Sequence, residues 1–145
     1  MRAVISLLFV ILIGVAARAD DASRDTARDT ARTAARATIE RQIEAFRRND
    51  AAGAYAEAAP QIRNLFPSAD SFIVMVEKGY APVLRPRSYR FETAEEAGED
   101  EIAQGVSLQD EAGIDWVALY TLQRQVDGAW RITGCHLKKA PGEKI

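Results

Sequence analysis

The spacing of the apolar residues changes once along this chain, and that change limits the folds open to it. Ile39, Ile43 and Phe46 are spaced i, i+4 and i+7, the pattern of a helix that buries one face. Beyond Pro86, the stretch 102–108 alternates larger residues with small ones, as a half-buried strand does. Because 145 residues make a single domain, the two halves must pack on each other. The sequence therefore predicts an α+β fold, with helices on one face of an antiparallel sheet.

Capping signals divide the first half into three helices and an extra helical turn. The first helix ends at Asn49-Asp50, where Asp50 can cap a second, short helix. Pro60 interrupts the chain before a helical turn over 62–66. Ser68 is then predicted to begin the third helix and Gly79 to cap its C-terminal end.

The second half predicts four strands joined by turns. The strands are expected at 89–91, 102–108, 116–122 and 130–137. Asp127-Gly128 is a strong hairpin signal before the last of them. The acidic stretch 95–101 is predicted to be a loop, and 110–113 a turn.

A short apolar run at the start predicts export. Residues 3–17 follow Met1-Arg2 and lead into Ala17-Arg18-Ala19, a small-x-small pattern that a signal peptidase cleaves. The run is shorter than the eighteen or so residues of a spanning helix. We expect a periplasmic or secreted protein; the alternative is an anchor formed by an uncleaved N-terminal segment. The predicted parts are a secretory signal peptide (1–19), an Arg/Asp/Ala-rich helical or flexible arm (20–36), the folded domain (37–138) and a C-terminal tail (139–145).

The arm repeats a basic residue every four positions. Arg24, Arg28, Arg32 and Arg36 form one slowly winding stripe if the arm is helical. One interpretation is peripheral contact with a membrane surface through this stripe. The other is a solvated helix or tether, because interleaved Asp residues cancel much of the charge and no large apolar residue is present to bury.

Charge and composition exclude several classes of partner. A net charge of −2 offers no overall positive charge for nucleic acid. One Cys and one His exclude a disulfide framework and a zinc site built from several such ligands. No Gly-rich phosphate loop is present. We therefore expect no metal and no cofactor.

Cys135 and His136 are neighbours on the predicted last strand, so their side chains should point to opposite faces of the sheet. Only a bulge would bring the thiol and the imidazole within reach of each other. Strict alternation puts Trp130 and Ile132 on the core face and Cys135 with Leu137 on the other. Cys135 is then a buried thiol, a reactive thiol or an interface thiol, which can meet its symmetry mate at a homodimer seam.

Short motifs in this order resemble a known superfamily and, more closely, one family within it. The resemblance to the nuclear transport factor 2-like superfamily is carried by Ile39-x-x-x-Ile43-x-x-Phe46-x-x-x-Asp50, Tyr55 and Asp127-Gly128-x-Trp130-Arg131-Ile132. The similarity to the domain of unknown function 4864 family, over about 37–137, is carried by Ala59-Pro60-x-Ile62, Phe72-x-x-Met75-Val76, Tyr80-x-Pro82, Pro86 and Gly134-Cys135. The resemblance implies a cone-shaped fold of helices over a curved sheet, often with an internal pocket and often dimeric. It brings no catalytic residue with it.

No Asp or Glu lies midway along a predicted strand among apolar neighbours, where a pocket base is expected. The predicted function is a non-catalytic, homodimeric binding module with an apolar pocket for a small ligand or a partner protein, and no catalytic residue is assigned. Candidate ligand-binding residues, chosen by type, are Tyr55, Tyr80, Gln104 and Tyr120, although Gln104 can instead be paired inside the core. Two alternatives stay open. One is a small hydrolase or isomerase using a pocket Asp or Glu with Tyr, and the other is a structural interaction domain tethered near a membrane by the arm.

Overall fold

The computed structural model describes residues 14–142, so most of the predicted signal peptide lies outside the described residues. Within them, helices precede strands along the chain. The helices are α1 (Gly14–Arg47), α2 (Ala51–Ala56), α3 (Pro60–Leu65), α4 (Ala69–Gly79) and α5 (Ala81–Leu84). The strands are β1 (Ser88–Gly98), β2 (Glu101–Gln109), β3 (Asp115–Arg124) and β4 (Trp130–Lys139). In this range, no helix has both the length and the apolar character needed to cross a membrane.

The described residues divide into two compact units, 14–31 and 32–142. In the first unit, α1 is helical and its side chains over 18–30 are exposed. Arg24 and Arg28 lie 3.8 Å and 3.4 Å from acidic groups one turn earlier, and such exposed pairs contribute little to stability. The helical form of this segment therefore rests mainly on its Ala and Arg content.

The second unit is an α+β domain, as predicted. Its four strands form one antiparallel sheet in the order β1-β2-β3-β4, so each strand pairs with its neighbour in sequence. One face of the sheet carries Val106, Tyr120 and Leu122, which are at most 1% exposed. Ile39 and Ile43 of α1 are completely buried, as their helical spacing predicts. Helices therefore supply the apolar cover for the core face of the sheet.

Two predicted helix caps are confirmed. The Asp50 carboxylate accepts a hydrogen bond from the Gly53 amide at 2.9 Å and begins α2. Ser68 begins α4 in a capping box with Ser71. The C-terminal cap predicted at Gly79 is wrong, because Gly79 is the last residue of α4 itself, without a positive φ, and Tyr80 is the cap. The chain passes almost directly from α4 into α5, so no left-handed turn is needed there.

The acidic loop predicted over 95–101 is also wrong, because β1 continues through most of it. Glu95 lies opposite Ala103 in the ladder with β2, and Ala94 beside it is 5% exposed. Only a tight turn at 99–100 joins the two strands. The backbone ladder and the burial of one small side chain outweigh an acidic composition that is unfavourable for a strand.

A β-bulge in β4 reverses the predicted facing of the end of that strand. Leu122 pairs with Ile132, but the preceding residue of β3, Thr121, pairs with Gly134, so Thr133 is an extra residue. Beyond the bulge, Cys135 lies opposite Tyr120 on the core face. The strict alternation that placed Cys135 and Leu137 on the second face is therefore wrong.

Residues after the bulge keep the alternation among themselves. His136 lies opposite Leu119, and both are exposed on the outer face, while Leu137 lies opposite the fully buried Ala118. Cys135 and His136 still point to opposite faces, as predicted, because the bulge precedes both of them. The thiol and the imidazole do not form a pair.

Gln104 holds the helical and strand parts of the second unit together. It is 0% exposed; its Oε1 accepts a hydrogen bond from Arg36 Nε at 2.9 Å, and its Nε2 donates to Glu92 O at 2.7 Å. The Arg36 guanidinium also donates to Glu92 O and lies over the Phe91 ring. Gln104 is thus paired inside the core, and the Arg36 side chain of the predicted basic stripe is engaged in the same network.

Replacing Gln104 by Ala should lower the free energy of unfolding by about 2–3 kcal/mol, since Arg36 and Glu92 O lose a buried partner. Urea unfolding followed by circular dichroism measures the change. Gln109→Ala is the matched control, because Gln109 is half-buried on the same strand and makes one long contact of 3.3 Å to Asp115. The control should change stability by less than about 0.5 kcal/mol. Equal effects of the two substitutions would contradict the structural role of Gln104.

Candidate functional site

A cavity of about 390 Å³ lies in the second unit, between α3, α4 and α5 and the core face of β3 and β4. This volume is within the usual range for small-molecule sites. Its walls are formed by Gln42, Phe46, Ala58, Ile62, Leu65, Phe66, Phe72, Met75, Val76, Tyr80, Val83, Tyr120, Ile132, Gly134 and Cys135.

Aromatic packing builds one wall of the cavity. The Phe72 ring, on the first turn of α4, contacts the rings of Phe46 and Phe66 with centroid distances of 6.4 Å and 6.2 Å. It also contacts Tyr55 of α2 at 5.6 Å. Ser68 fixes the start of α4 by capping it, so the sequence signal that begins this helix also places the central ring of the wall.

The loop between α2 and α3 fixes the opposite wall on the edge of the sheet. Ile132 N donates to Glu57 O at 2.9 Å, and Ala59 N donates to Ile132 O at 2.8 Å. These two bonds form a one-residue parallel bridge between Ala58 and Ile132. The edge of β4 is therefore covered where it meets the cavity, and Ala58 and Ile132 are both part of the wall.

All of the wall residues are in the described part of the chain, and none is Asp, Glu, Lys, Arg or His. Polar side-chain groups in the wall come only from Gln42, Tyr80, Tyr120 and Cys135. The Gln42 amide nitrogen donates to Ala54 O at 3.2 Å. Across residues 14–142, no group of three or more His, Cys, Asp or Glu is placed to hold a metal ion. The site is apolar, with a few uncharged polar groups.

Tyr120 carries the least satisfied polar group of the wall. The residue is 1% exposed, and its hydroxyl neither donates nor accepts a hydrogen bond of ordinary geometry with any residue that the structure describes. The Cys135 thiol, at the paired position of β4, is close enough to act on it, but a thiol is a weak hydrogen-bond partner. Burial, and then the neighbouring Cys135, raise the pKa of Tyr120 well above its ordinary value, so the hydroxyl keeps its proton.

The Cys135 thiol is also held in its neutral form. Burial raises its pKa from 9.0 to about 12, against a smaller opposite effect of the Tyr120 hydroxyl. Since the thiolate is the reactive form of cysteine, little of it exists near neutral pH. The geometry favours a cavity-wall role for Cys135 over a reactive one.

The structure brings two of the four candidate ligand-binding residues to the cavity. Tyr80 and Tyr120 line it, whereas Gln104 is enclosed in the network with Arg36. The Tyr55 hydroxyl lies 2.5 Å from Phe66 O and 3.0 Å from Arg63 O, so it fixes the end of α3 from behind the wall. Tyr55 supports the site without lining it.

Sequence reasoning missed most of the wall. Met75, Ile62 and Leu65 carry no chemical signal beyond being apolar, so they could be assigned only to a helix face. Cys135 was singled out, but the bulge at Thr133 decides its side of the sheet, and the signal for that bulge, the neighbouring Gly134 inside the strand, was not used.

Cys135→Ala should make the protein less sensitive to alkaline pH. Below about pH 9 the thiol is protonated in the folded and the unfolded state, and the full stability is present. From pH 9.0 towards about 12 the unfolded thiol ionises while the folded one does not, so stability falls as pH rises. The wild type should lose about 1–2 kcal/mol more than the variant between about pH 8 and about pH 10.5.

Urea unfolding of both proteins at the two pH values measures this difference. The ionisation of Tyr120 and of the other tyrosines affects both proteins, so it largely cancels in the comparison. Equal losses in the wild type and in Cys135→Ala would show that folding does not raise the pKa of the Cys135 thiol.

Residues 28–145 match the model of one protein family, whose description is Domain of unknown function (DUF4864). No curated protein matches the chain, and no solved structure does.

Proposed function

The chain belongs to this DUF4864 family, and from that premise we propose that its domain is a non-catalytic module that binds a small apolar molecule in the cavity beside α4. The observation that carries the proposal is the cavity itself: about 390 Å³ with walls that hold no ionisable group charged at neutral pH. An apolar molecule gains free energy by moving from water into such a space, and its binding leaves no charged group unpaired.

The entrance supports the same function. Leu65 lines the cavity and is 71% exposed, and Phe66 next to it also belongs to the wall. Helix α3, which carries Leu65, has no buried residue. An apolar side chain at the mouth gives a ligand contact area that solvent would otherwise cover.

The hydrolase or isomerase alternative requires a carboxylate in the wall to move a proton. None is among the wall residues, and both titratable wall groups with shifted pKa values, Tyr120 and Cys135, are shifted towards their protonated forms. A general base is therefore missing from the described site. Binding of an apolar ligand requires only the wall residues present, whereas catalysis requires an additional base.

The proposal also covers the fold type of the domain, its location and its oligomeric state. Helices followed by a four-stranded meander, with the cavity between the two, agree with a cone-shaped fold of the nuclear transport factor 2-like type. Export through the 1–19 segment and membrane contact through the arm stay predictions. A homodimer also stays a prediction, now without Cys135 at its seam, because that side chain faces the cavity.

Filling the cavity should abolish binding of a neutral apolar probe. Met75 of α4 is half-buried and lines the cavity, so Met75→Trp places an indole into the ligand space. Val74→Trp is the matched control, because Val74 is the preceding residue on the same helix, is 46% exposed and lies outside the wall. The measurement is the fluorescence enhancement of N-phenylnaphthylamine titrated with each purified protein.

We expect binding by the wild type and by Val74→Trp, and at least about tenfold weaker binding by Met75→Trp, the equivalent of about 1.4 kcal/mol. Circular dichroism melting of both variants checks that each remains folded. A wild type that gives no enhancement, or two variants that bind equally well, would refute a ligand site in this cavity.

A further inference from the structure

We propose that the molecule held in this cavity is uncharged and carries one hydrogen-bond acceptor oxygen, of the carbonyl or ether kind, which is bound by the Tyr120 hydroxyl. The inference rests on the proposed binding function and adds the chemical class of the ligand to it. It excludes free carboxylates and ammonium compounds as preferred ligands.

The Tyr120 hydroxyl is a buried hydrogen-bond donor without a partner of ordinary geometry. Buried polar groups almost always have a hydrogen-bond partner, and a buried donor without one carries a free-energy cost. The Tyr120 hydroxyl is such a donor, on a side chain that is 1% exposed and forms part of the cavity wall. A ligand oxygen that accepts this proton removes the cost, whereas a pure hydrocarbon leaves it in place.

The protonated Tyr120 hydroxyl is a hydrogen-bond donor suited to a neutral ligand oxygen. A phenol that keeps its proton is a donor to a neutral oxygen, and burial keeps Tyr120 protonated. Cys135 stands beside it with a protonated thiol, which accepts hydrogen bonds only weakly. Rotation about the Cα–Cβ bond of Cys135 moves its sulfur. A carbonyl or ether oxygen of the ligand can therefore displace the thiol and outcompete it for the Tyr120 proton.

The absence of charged side chains in the described wall limits the charge that a ligand can carry. An ionised carboxylate or ammonium loses its hydration in an apolar cavity and must be paired there to remain charged. The described wall contains no Lys, Arg or His to pair with an anion and no Asp or Glu to pair with a cation. A single phenol hydroxyl does not replace a full ion pair. The cavity therefore selects neutral molecules.

The test uses three probes with one phenyl ring and similar chains, which differ in their polar group. Butylbenzene has none, butyrophenone has a ketone oxygen, and phenylbutyrate has a carboxylate. Each displaces N-phenylnaphthylamine from the wild-type protein and from Tyr120→Phe, and the displacement gives its dissociation constant. The preference is the ratio of the dissociation constant of butylbenzene to that of butyrophenone.

In Tyr120→Phe the preference for the ketone should fall about five- to tenfold, the value of one net hydrogen bond. The affinity for butylbenzene should be unchanged, because Phe keeps the ring and butylbenzene has no oxygen that could accept a hydrogen bond from the hydroxyl. Phenylbutyrate should bind the wild type more weakly than butyrophenone does. Tyr80→Phe removes the other phenol of the wall and should leave the preference as it is in the wild type.

Three results would overturn the inference while leaving the cavity a ligand site. They are an unchanged preference in Tyr120→Phe, a preference that falls in Tyr80→Phe instead, and tighter binding of phenylbutyrate than of butyrophenone. Loss of butylbenzene binding in Tyr120→Phe would also overturn it, by showing that the hydroxyl maintains the cavity. Failure of the reporter and of every probe to bind the wild type would instead refute the proposed function itself.

Discussion

Successive side chains of a β-strand point to opposite faces of the sheet. One extra residue in β4 therefore decides which side chains face the cavity, and with them its chemistry. Thr133 is that residue: after it, Cys135 faces the helices and His136 faces outward. The Thr133 hydroxyl donates to the Thr121 hydroxyl at 3.0 Å on the outer side. Without the bulge, Gly134 would lie opposite Tyr120 on the core face, and the Cys135 side chain would face outward.

Local signals in the sequence predicted the order of helices and strands, but neither helix α5 nor the full length of β1. Asp50 and Ser68 cap the helices they were predicted to cap, because a cap is decided by a few residues in contact along the chain. The Asp127-Gly128 turn is similar: Gly128 adopts the positive φ of 87° that its hairpin requires. The α+β class followed from the change of periodicity alone.

Features that depend on pairing between distant residues escaped the same reasoning. Whether Glu95 belongs to a loop or a strand depends on the ladder to Ala103, and nothing in the acidic stretch itself indicates that partner. The facing of Cys135 depends on a register shift against β3. Of the candidate site, Tyr80 and Tyr120 could be selected by residue type, but their meeting at one cavity is a property of the tertiary structure.

Gln104 and Tyr120 show why a buried polar residue is informative only once its partners are known. Both lie on the core face of the sheet, directly opposite each other in the β2–β3 ladder, and both are almost completely buried. Gln104 has its amide satisfied by Arg36 and by backbone oxygens, so it contributes to stability and has nothing to offer a ligand. Tyr120 has a donor that the described residues leave unsatisfied.

The burial that leaves the Tyr120 donor unsatisfied also keeps Cys135 protonated, so one physical cause gives the cavity a donor and removes a nucleophile. This combination supports the proposal that the site holds a neutral molecule and does not react with it.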